Sequence, residues 1–345
     1  MRVLAGMSGG VDSSAAAVIL KEKYTVSGVT LSLYEKDPVC ASLNEENIKD
    51  AAEVCRKLGI DHSVLHLENE FEDFVVKKFV SDYLSGLTPN PCINCNKHIK
   101  FGAMLRFARE NGFDKIATGH YARIEESGGK YYLKRAKDIK KDQTYVLYNL
   151  TQEILSCLLL PLGEYTKEEC REKALENGLI TAHKSDSQDI CFVPDGDYGS
   201  FIEMYNGSYP PGDYIDAAGN VLGRHKGMIR YTVGQRKGLG IALGEPMFVI
   251  KKNASKNTVT LGKNEDLFTK TVRVRDINFI SDALSDGDTL EAKLRYSQNT
   301  AKAVFHTDET GAVLEFSEPQ RAATAGQSAV FYKDDYCLGG GIINE

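Results

Sequence analysis

The spacing of apolar and polar positions changes character near residue 207 of this 345-residue chain. Before that point, short β-rich apolar runs alternate with helical patterns, as is typical of a parallel sheet covered by helices on both faces. The first part is therefore expected to be an α/β domain with a doubly wound parallel sheet. The main predicted elements are strands at 26–33, 63–67 and 115–118 and helices at 45–58, 71–84 and 97–111.

The remainder of the chain has a β-rich pattern. Turn signals such as Pro210-Pro211-Gly212-Asp213 and Ala218-Gly219-Asn220 separate short stretches of β-branched and aromatic residues. We therefore predict three domains: the α/β domain over 1–207, a small central β-rich domain over 208–271 and a C-terminal antiparallel β-barrel over 272–345. The strands predicted for the barrel are 272–274, 289–294, 301–306, 312–316, 328–332 and 337–343.

Composition indicates the class of protein and the compartment in which it is expected. With 42% hydrophobic and 26% charged residues, it has the balance of an ordinary globular protein. Its apolar runs are too short to span a bilayer, and its start, Met-Arg-Val-Leu, lacks the features of a secretory signal. A cytoplasmic protein without membrane contact is expected. In that reducing compartment its eight cysteines are expected to serve thiol or metal chemistry rather than structural disulfides.

A glycine-rich loop lies between the first predicted strand and the first predicted helix, in the segment Ala5-Gly6-Met7-Ser8-Gly9-Gly10-Val11-Asp12-Ser13-Ser14. Such a turn aims backbone N–H groups and the positive end of a helix dipole at one point, which suits pyrophosphate. Asp12 is placed either to cap the helix or to bind magnesium. The two commonest nucleotide-binding loops are excluded, because the segment has neither a Gly-Lys-Ser/Thr ending nor a Gly-x-Gly-x-x-Gly pattern.

Three cysteines have a context that favours chemistry. Cys92 and Cys95 are predicted in a loop just before a helix, where the helix dipole and nearby Lys97 and Lys100 should lower the pKa of a thiol. Cys191 follows a polar loop. Together the three could bind an iron–sulfur cluster with one open site, or carry a persulfide and resolve it by thiol–disulfide exchange. Zinc is disfavoured, because a fourth ligand is missing.

One stretch combines positive charge with the absence of acidic residues, although the net charge of the chain is −6. Between residues 221 and 244 there is no Asp or Glu, and the aromatic Tyr231 lies among the basic side chains. This pattern indicates a local RNA-binding surface rather than a generally basic protein. Its basic residues are Arg224, His225, Lys226, Arg230, Arg236 and Lys237.

Several of these segments resemble the motifs of one family. Ser8-Gly-Gly-Val-Asp-Ser13 resembles the loop of the PP-loop ATP pyrophosphatases. Taken in order over nearly the whole chain, the motifs resemble those of the bacterial tRNA-specific 2-thiouridylases. Besides the loop, they are Asn90-Pro91, Cys95-Asn96, Ile99-Lys100-Phe101, Ala117-Thr-Gly-His-Tyr-Ala122, Lys141-Asp-Gln143, Ser187-Gln-Asp-Ile-Cys-Phe192 and Tyr231-Thr-Val-Gly-Gln-Arg-Lys-Gly-Leu-Gly240.

The resemblance implies adenylation of the C2 oxygen of uridine 34 in tRNA, followed by sulfur transfer that gives 2-thiouridine, AMP and pyrophosphate. It implies ATP and Mg²⁺ as cofactors, and tRNA and a persulfide donor, a cysteine desulfurase or a relay protein, as partners. Cys191 would carry the persulfide, and Cys95 would complete the transfer and leave a transient Cys95–Cys191 disulfide. The ATP contacts implied are Gly6, Met7, Ser8, Gly9, Gly10, Val11, Asp12, Ser13, Leu31 and Gly119. The tRNA contacts implied are Asn90, Pro91, Cys92, His120, Asp142, Gln143, Arg295, Tyr296 and Gln327.

The chain departs from the family pattern at Cys92, where that pattern has an Asp with an acid/base role. A thiol is a much weaker acid than a carboxyl group. Either Cys92 replaces that Asp, or Cys92, Cys95 and Cys191 bind an iron–sulfur cluster. Two other classes of function remain open: an adenylating ligase or amidotransferase that acts on a small molecule, and a redox-sensing RNA-binding protein without catalysis.

Overall fold

The computed structural model describes residues 1–184 and 190–344. Its first domain contains a five-stranded parallel sheet with the first strand of the chain at the centre. All strands run the same way, so their carboxyl ends lie along one edge of the sheet. The predicted parallel α/β architecture is confirmed. In spatial order the strands are His62–His66, Thr25–Ser32, Arg2–Gly6, Lys115–Ala117 and Leu158–Leu159.

Helices connect and cover these strands, and several begin at a residue that caps them. Asp37 accepts hydrogen bonds from two backbone N–H groups at the start of Pro38–Leu58, so this helix begins earlier than the predicted residue 45. The other α-helices are Val11–Lys21, Glu68–Phe71, Lys77–Leu84, Pro91–Asn94, Met104–Glu110, Gln152–Cys157, Lys167–Glu176 and Tyr198–Asn206. Short 3₁₀ turns span Thr144–Val146, Pro161–Glu164, Ile180–His183, Met228–Arg230 and Asn264–Leu267.

Two of the predicted helices contain π-helical segments, Glu72–Val76 and Cys95–Ala103. A π-helical turn holds more residues than an α-turn, so it shifts the later side chains around the helix axis. The periodicity predicts Phe74 on the same apolar face as Phe71 and Phe79. Phe74 is instead 48% exposed, and its ring stacks on that of His98 with centroids 4.8 Å apart.

The central domain is a four-stranded sheet that combines antiparallel and parallel pairing. The buried side chains of Tyr214, Val249 and Val259 form the centre of its core. A central β-rich domain was predicted, and the sheet agrees with that pattern. In spatial order its strands are Phe248–Asn253, Thr258–Gly262, Gly212–Ile215 and Val221–His225.

The last domain is a closed antiparallel barrel, as predicted, because its first strand pairs with its last. That first strand, Phe268–Phe279, runs through the boundary predicted at residue 271. The two boundaries between the three domains themselves remain predictions. In order around the barrel the strands are Phe268–Phe279, Gly311–Arg321, Ala301–Asp308, Thr289–Lys293, Ser328–Lys333 and Tyr336–Ile343.

A hairpin of the first domain joins the sheet of the barrel, which the sequence did not indicate. Its strands are Arg123–Ser127 and Lys130–Lys134, and Leu133 pairs with Cys337 of the last barrel strand. The two domains also share one hydrophobic core, which contains Tyr148 and Val330. The barrel is therefore fixed to the α/β domain through both a sheet and a core. Within the described residues, no helix is long and apolar enough to cross a lipid bilayer.

Candidate active site

The glycine loop lies at the carboxyl edge of the parallel sheet, between the strand ending at Gly6 and the helix beginning at Val11. Gly10 occupies the N-cap position, so no side chain caps the helix. Gly9 has a φ of +70°, and a Cβ there would lie 2.6 Å from the backbone oxygen of Asn47. The first N–H groups of the helix, which have no partner within the helix, therefore remain available for an anion.

Hydrogen bonds within the loop hold its curvature. The hydroxyl of Ser13 accepts a bond from the backbone N–H of Ser8 at 3.1 Å and lies 3.2 Å from the Ser8 hydroxyl. The backbone of Gly119 packs directly on the loop, since a Cβ at this position would lie 2.9 Å from the backbone nitrogen of Ser13. Leu31 lies near the carboxyl end of the neighbouring strand and is partly buried. The implied ATP contacts are thus gathered at one edge of the sheet.

Asp12 is held by two groups that are distant in sequence. Lys167 donates to both carboxylate oxygens, at 2.7 and 2.9 Å, and the hydroxyl of Tyr121 donates to one of them at 2.8 Å. Lys167 is only 4% exposed. Of the two roles considered for Asp12, its side chain does not cap the helix, and both oxygens already accept hydrogen bonds from a cation. Sequence reasoning missed Lys167, whose only local signal is the helix start at Thr166.

The first two cysteines lie within a helix rather than in a loop before it. The side chain of Asn90 accepts a hydrogen bond from the Cys92 N–H at the start of Pro91–Asn94, and Cys95 begins the π-helical segment. Cys92 is exposed, whereas Cys95 is only 6% exposed. Burial raises the pKa of the Cys95 thiol to about 12, and Lys100 opposes this only in part. The predicted lowering of its pKa is therefore wrong, because loss of hydration outweighs the nearby positive charge.

Cys191 completes the set of three thiols. The residue exposes surface to solvent, yet its sulfur lies deep enough among neighbouring atoms that desolvation raises its pKa to about 11. The charge of Cys92 raises the pKa values of both Cys95 and Cys191, so the three thiols lie near one another. Ser187, Gln188 and Asp189 of the same motif lie outside the described residues.

Lys100 and His120 connect the thiols to the glycine loop. Lys100 lowers the pKa values of Cys95, Cys191 and His120. His120 directly follows Gly119, which packs on the loop, and its Nδ1 lies 2.8 Å from the Thr118 hydroxyl. Burial lowers the pKa of His120 well below its ordinary value, so its imidazole is neutral. A single region thus contains the anion-binding loop, a neutral histidine and the thiols.

The implied tRNA contacts fall into two groups in the structure. Asp142 is 8% exposed and accepts hydrogen bonds from the Ala136 N–H and the Thr144 hydroxyl, while burial raises its pKa. Tyr296, in contrast, is 44% exposed; partial burial raises its pKa, and the charges of Asp142 and Cys92 add to this. The barrel therefore presents an aromatic ring in the neighbourhood of Cys92.

Two further implied contacts, Gln143 and Arg295, form internal hydrogen bonds. The side-chain oxygen of Gln143 accepts a bond from the Tyr121 N–H at 2.8 Å. One guanidinium nitrogen of Arg295 donates to Val233 of the central domain at 2.9 Å and to the Ala322 oxygen at 3.1 Å. Both side chains hold backbone segments in place in this structure.

The acid-free stretch from 221 to 244 is only partly a basic surface. Arg230 forms ion pairs with Asp197 and Glu203 at 3.4 and 2.6 Å, and His225 is buried. Tyr231 is only 4% exposed and packs in the domain core, so it does not offer a ring for base stacking. The exposed basic residues that remain are Arg224, Lys226, Arg236 and Lys237.

One group of residues outside the predicted site could bind a metal ion. Glu35, His66 and Glu68 place their ligand atoms within 4.8 Å of one another, and no other such group occurs in residues 1–184 and 190–344. His66 Nδ1 lies 2.9 Å from Glu68, which raises the pKa of the imidazole.

The parallel sheet, the glycine loop at its carboxyl edge and the two attached β-domains define a three-part nucleotide-binding protein with a thiol site. Family models agree: a tRNA methyl transferase HUP domain matches residues 1–195, a tRNA methyl transferase PRC-barrel domain matches 199–263 and an aminomethyltransferase beta-barrel domain matches 269–343. The tRNA-specific 2-thiouridylase MnmA of Clostridium perfringens is 50% identical over 353 residues, covering 99% of this chain and 98% of that protein. The chain belongs to the tRNA-specific 2-thiouridylase family.

Other relatives support the same assignment. The tRNA-specific 2-thiouridylase MnmA of Clostridioides difficile is 49% identical, with 100% of this chain and 98% of that protein covered. Among solved structures, the U34-tRNA thiolase NcsA of Methanococcus maripaludis, with its 4Fe-4S cluster, matches at 20% identity and a TM-score of 0.37. That match covers 59% of this chain and 66% of that chain, and a likeness this slight carries no argument.

Proposed function

We propose that this chain is a tRNA-uridine 2-sulfurtransferase that uses ATP to activate the C2 oxygen of uridine 34. The observation that carries the proposal is the close packing of Gly119 on the glycine loop, directly before the buried His120. Lys100 lowers the pKa values of His120, Cys95 and Cys191, so the thiols lie in the same region. Sulfur carried by the thiols would thus meet an oxygen activated at the loop. The full-length similarity to 2-thiouridylases points to the same reaction.

The first half of the reaction is an adenylation. The uridine C2 oxygen attacks the α-phosphorus of ATP, and the bond to pyrophosphate breaks. The loop N–H groups would stabilise the departing pyrophosphate, which is electrostatic catalysis by fixed dipoles. The C2 atom lies within the base, so the nucleotide has to leave the anticodon stack and enter the site.

The second half transfers sulfur. The terminal sulfur of a Cys191 persulfide attacks C2, and AMP leaves with the former C2 oxygen. The Cys95 thiolate then attacks the Cys191 sulfur, breaks the S–S bond and releases 2-thiouridine. The resulting Cys95–Cys191 disulfide needs two electrons from a thiol reductant before the next cycle. A cysteine desulfurase or a relay protein would supply the persulfide, and the cytoplasm would supply the reductant.

Magnesium would accompany the ATP phosphates. Asp12 is the only carboxylate of the loop, and both its oxygens accept hydrogen bonds from Lys167. In this arrangement Asp12 does not fit the role of an open magnesium ligand. Its role here is to fix the start of the helix relative to Tyr121 and Lys167.

A second candidate function is thiolation in which Cys92, Cys95 and Cys191 would hold an iron–sulfur cluster that binds the transferred sulfur. It is favoured by the proximity of the third cysteine, since Cys92 raises the pKa values of both Cys95 and Cys191. Iron–sulfur clusters are bound by cysteine thiolates, which is the chemistry these three residues could supply. It would also require all three thiols to lose their protons, against the raised pKa values of Cys95 and Cys191.

The test measures tRNA-dependent AMP formation and 2-thiouridine by mass spectrometry with anaerobically purified protein. Cys95→Ser and Cys191→Ser should abolish 2-thiouridine, whereas Cys157→Ser, which removes a thiol outside the site, should not. AMP formation that does not depend on tRNA and is unchanged in the first two variants would favour a small-molecule ligase, and tRNA binding without ATP consumption would favour a non-catalytic RNA-binding protein. Iron and sulfide analysis of the active protein decides between the two sulfur routes.

A further inference from the structure

A short backbone segment just before the cysteine helix is held by the other two domains. Leu87 and Thr88 lie three and two residues before Asn90, whose side chain caps the helix that carries Cys92. Thr88 is 8% exposed. A displacement of this segment would therefore move the start of the cysteine helix.

The central domain holds the segment through Lys252. The ammonium group of Lys252 donates to the backbone oxygen of Leu87 at 3.2 Å and to the Thr88 hydroxyl at 3.4 Å. It also lies 5.5 Å from the centre of the Tyr83 ring. Lys252 is only 7% exposed. Lysine is rarely buried unless hydrogen bonds to its ammonium group offset the cost of desolvation, and here the Leu87 and Thr88 oxygens accept them.

The barrel holds the same segment from its own side. The side-chain amide of Gln327 donates to the Thr88 oxygen at 2.7 Å, and the Thr88 N–H donates to the Ala325 oxygen at 3.0 Å. Gly326 has a φ of +90°, and a Cβ there would lie 2.9 Å from the Thr88 nitrogen, so the backbone at Gly326 is in close contact with the Leu87–Thr88 segment. Arg295 in turn ties the neighbouring Thr324 to the central domain.

We propose that Lys252 and Gln327 are positioning residues that fix Leu87–Thr88 and thereby set the position of Cys92 and Cys95 for the reaction. The consequence for catalysis rests on the proposed function. Lys252 belongs to the central domain and Gln327 to the barrel. A shift of either domain when tRNA binds would therefore displace Leu87–Thr88 and change the positions of Cys92 and Cys95.

The test compares Lys252→Met with Lys251→Met. The control removes an equal charge from the neighbouring, exposed residue of the same strand. In Lys252→Met, kcat for thiolation should fall at least tenfold while the Kd for tRNA changes less than twofold. The rate of Cys95 alkylation by iodoacetamide, measured by peptide mass spectrometry without ATP or tRNA, should rise about tenfold. Lys251→Met should match the wild type in kcat and in alkylation.

The alkylation and thiolation measurements distinguish a failure of the positioning role from a failure of the proposed function. Faster alkylation of Cys95 in a protein that never thiolates tRNA would retain the positioning role and reject the proposed function. Equal alkylation and equal kcat in both lysine variants would overturn the positioning role. Gln327→Met, which releases the same segment from the barrel side, should reproduce the lower kcat and the faster Cys95 alkylation, and it replaces Lys252→Met if that variant does not fold. Because Gln327 is also an implied tRNA contact, alkylation without tRNA is the deciding measurement for this variant. A Gln327→Met protein with wild-type kcat and alkylation would equally overturn the inference.

Discussion

Replacing Lys167 with methionine should leave the Asp12 carboxylate without its cation beside the nucleotide site. Lys167 is almost fully buried, while the Asp12 side chain keeps 35% of its exposure. Removing one partner of a buried ion pair costs about 3–5 kcal/mol, because the other charge stays desolvated. Solvent around Asp12 reduces this cost, so we expect Lys167→Met to lower the free energy of unfolding by about 2 kcal/mol.

A double-mutant cycle with Asp12→Asn isolates the pair. In Asp12→Asn/Lys167→Met no charge is left without its partner, so the double variant should be more stable than Lys167→Met by about 1–3 kcal/mol. Stability is measured by urea unfolding followed by far-UV circular dichroism. ATP binding, measured by calorimetry without tRNA, should weaken about tenfold in Lys167→Met and recover in the double variant, because an uncompensated carboxylate repels phosphate.

The outcome that refutes this reasoning is specific. If the double variant is no more stable than Lys167→Met and binds ATP no better, the unpaired charge is not the cause of the loss. The effect would then come from packing of the lysine side chain, whose Nζ lies 6.0 Å from the centre of the Tyr121 ring. Lys167→Arg, which keeps the charge but changes the packing, distinguishes the two causes.

Three further outcomes are expected. Gly9→Ala should destabilise the protein by about 1–3 kcal/mol and prevent ATP binding, since its methyl group would clash with the Asn47 backbone and φ is positive. The control is Gly59→Ala, where φ is +61° but no atom lies within 4 Å of the added methyl group. In thermal melts, Gly59→Ala should lower the melting temperature less than Gly9→Ala does. The rate of Cys95 alkylation should rise about tenfold per pH unit between pH 7 and 10 without a plateau, because only the thiolate reacts and the pKa of Cys95 is about 12. Cys191, with a pKa of about 11, should react about ten times faster than Cys95 at the same pH. A plateau below pH 9 would contradict the buried Cys95 thiol. Cys92→Asp should retain thiolation if Cys92 acts in place of the family's Asp, and loss of both activity and bound iron would assign it to a cluster.

Features that arise from neighbouring residues in the chain could be predicted from the sequence. The glycine loop lies between a strand and a helix as expected, because its backbone requirement is local, and the barrel strands follow from their alternation and turns. The π-helical segments could not be predicted, since they differ from an α-helix in the span of their hydrogen bonds, five residues instead of four, and not in composition. The exposed Phe74 follows from this difference.

The chemistry of the site was less predictable than its location. The charges near Cys95 favour a thiolate, and they are visible in the sequence, whereas the burial that opposes them depends on side chains from distant segments, including Phe192 and Ile229. Lys167 reaches Asp12 across 155 residues, and the hairpin beginning at Arg123 joins a barrel whose last strand ends at Ile343. Contacts of this kind leave no periodic signal.

The positions of the implied tRNA contacts suggest a division of labour. His120, Asp142 and Gln143 bond to the protein's own hydroxyl or backbone groups, so they fix the walls of the site before any substrate arrives. Under the proposed function, direct contact with RNA would fall to side chains that reach solvent, such as Tyr296 on the barrel and Lys226 on the central domain. Since the central domain and the barrel also hold Leu87 and Thr88, the surfaces proposed to meet tRNA belong to the same two domains that support the cysteine helix. In this proposal a few hydrogen bonds would link tRNA binding to sulfur transfer, and each of them can be removed without changing a thiol.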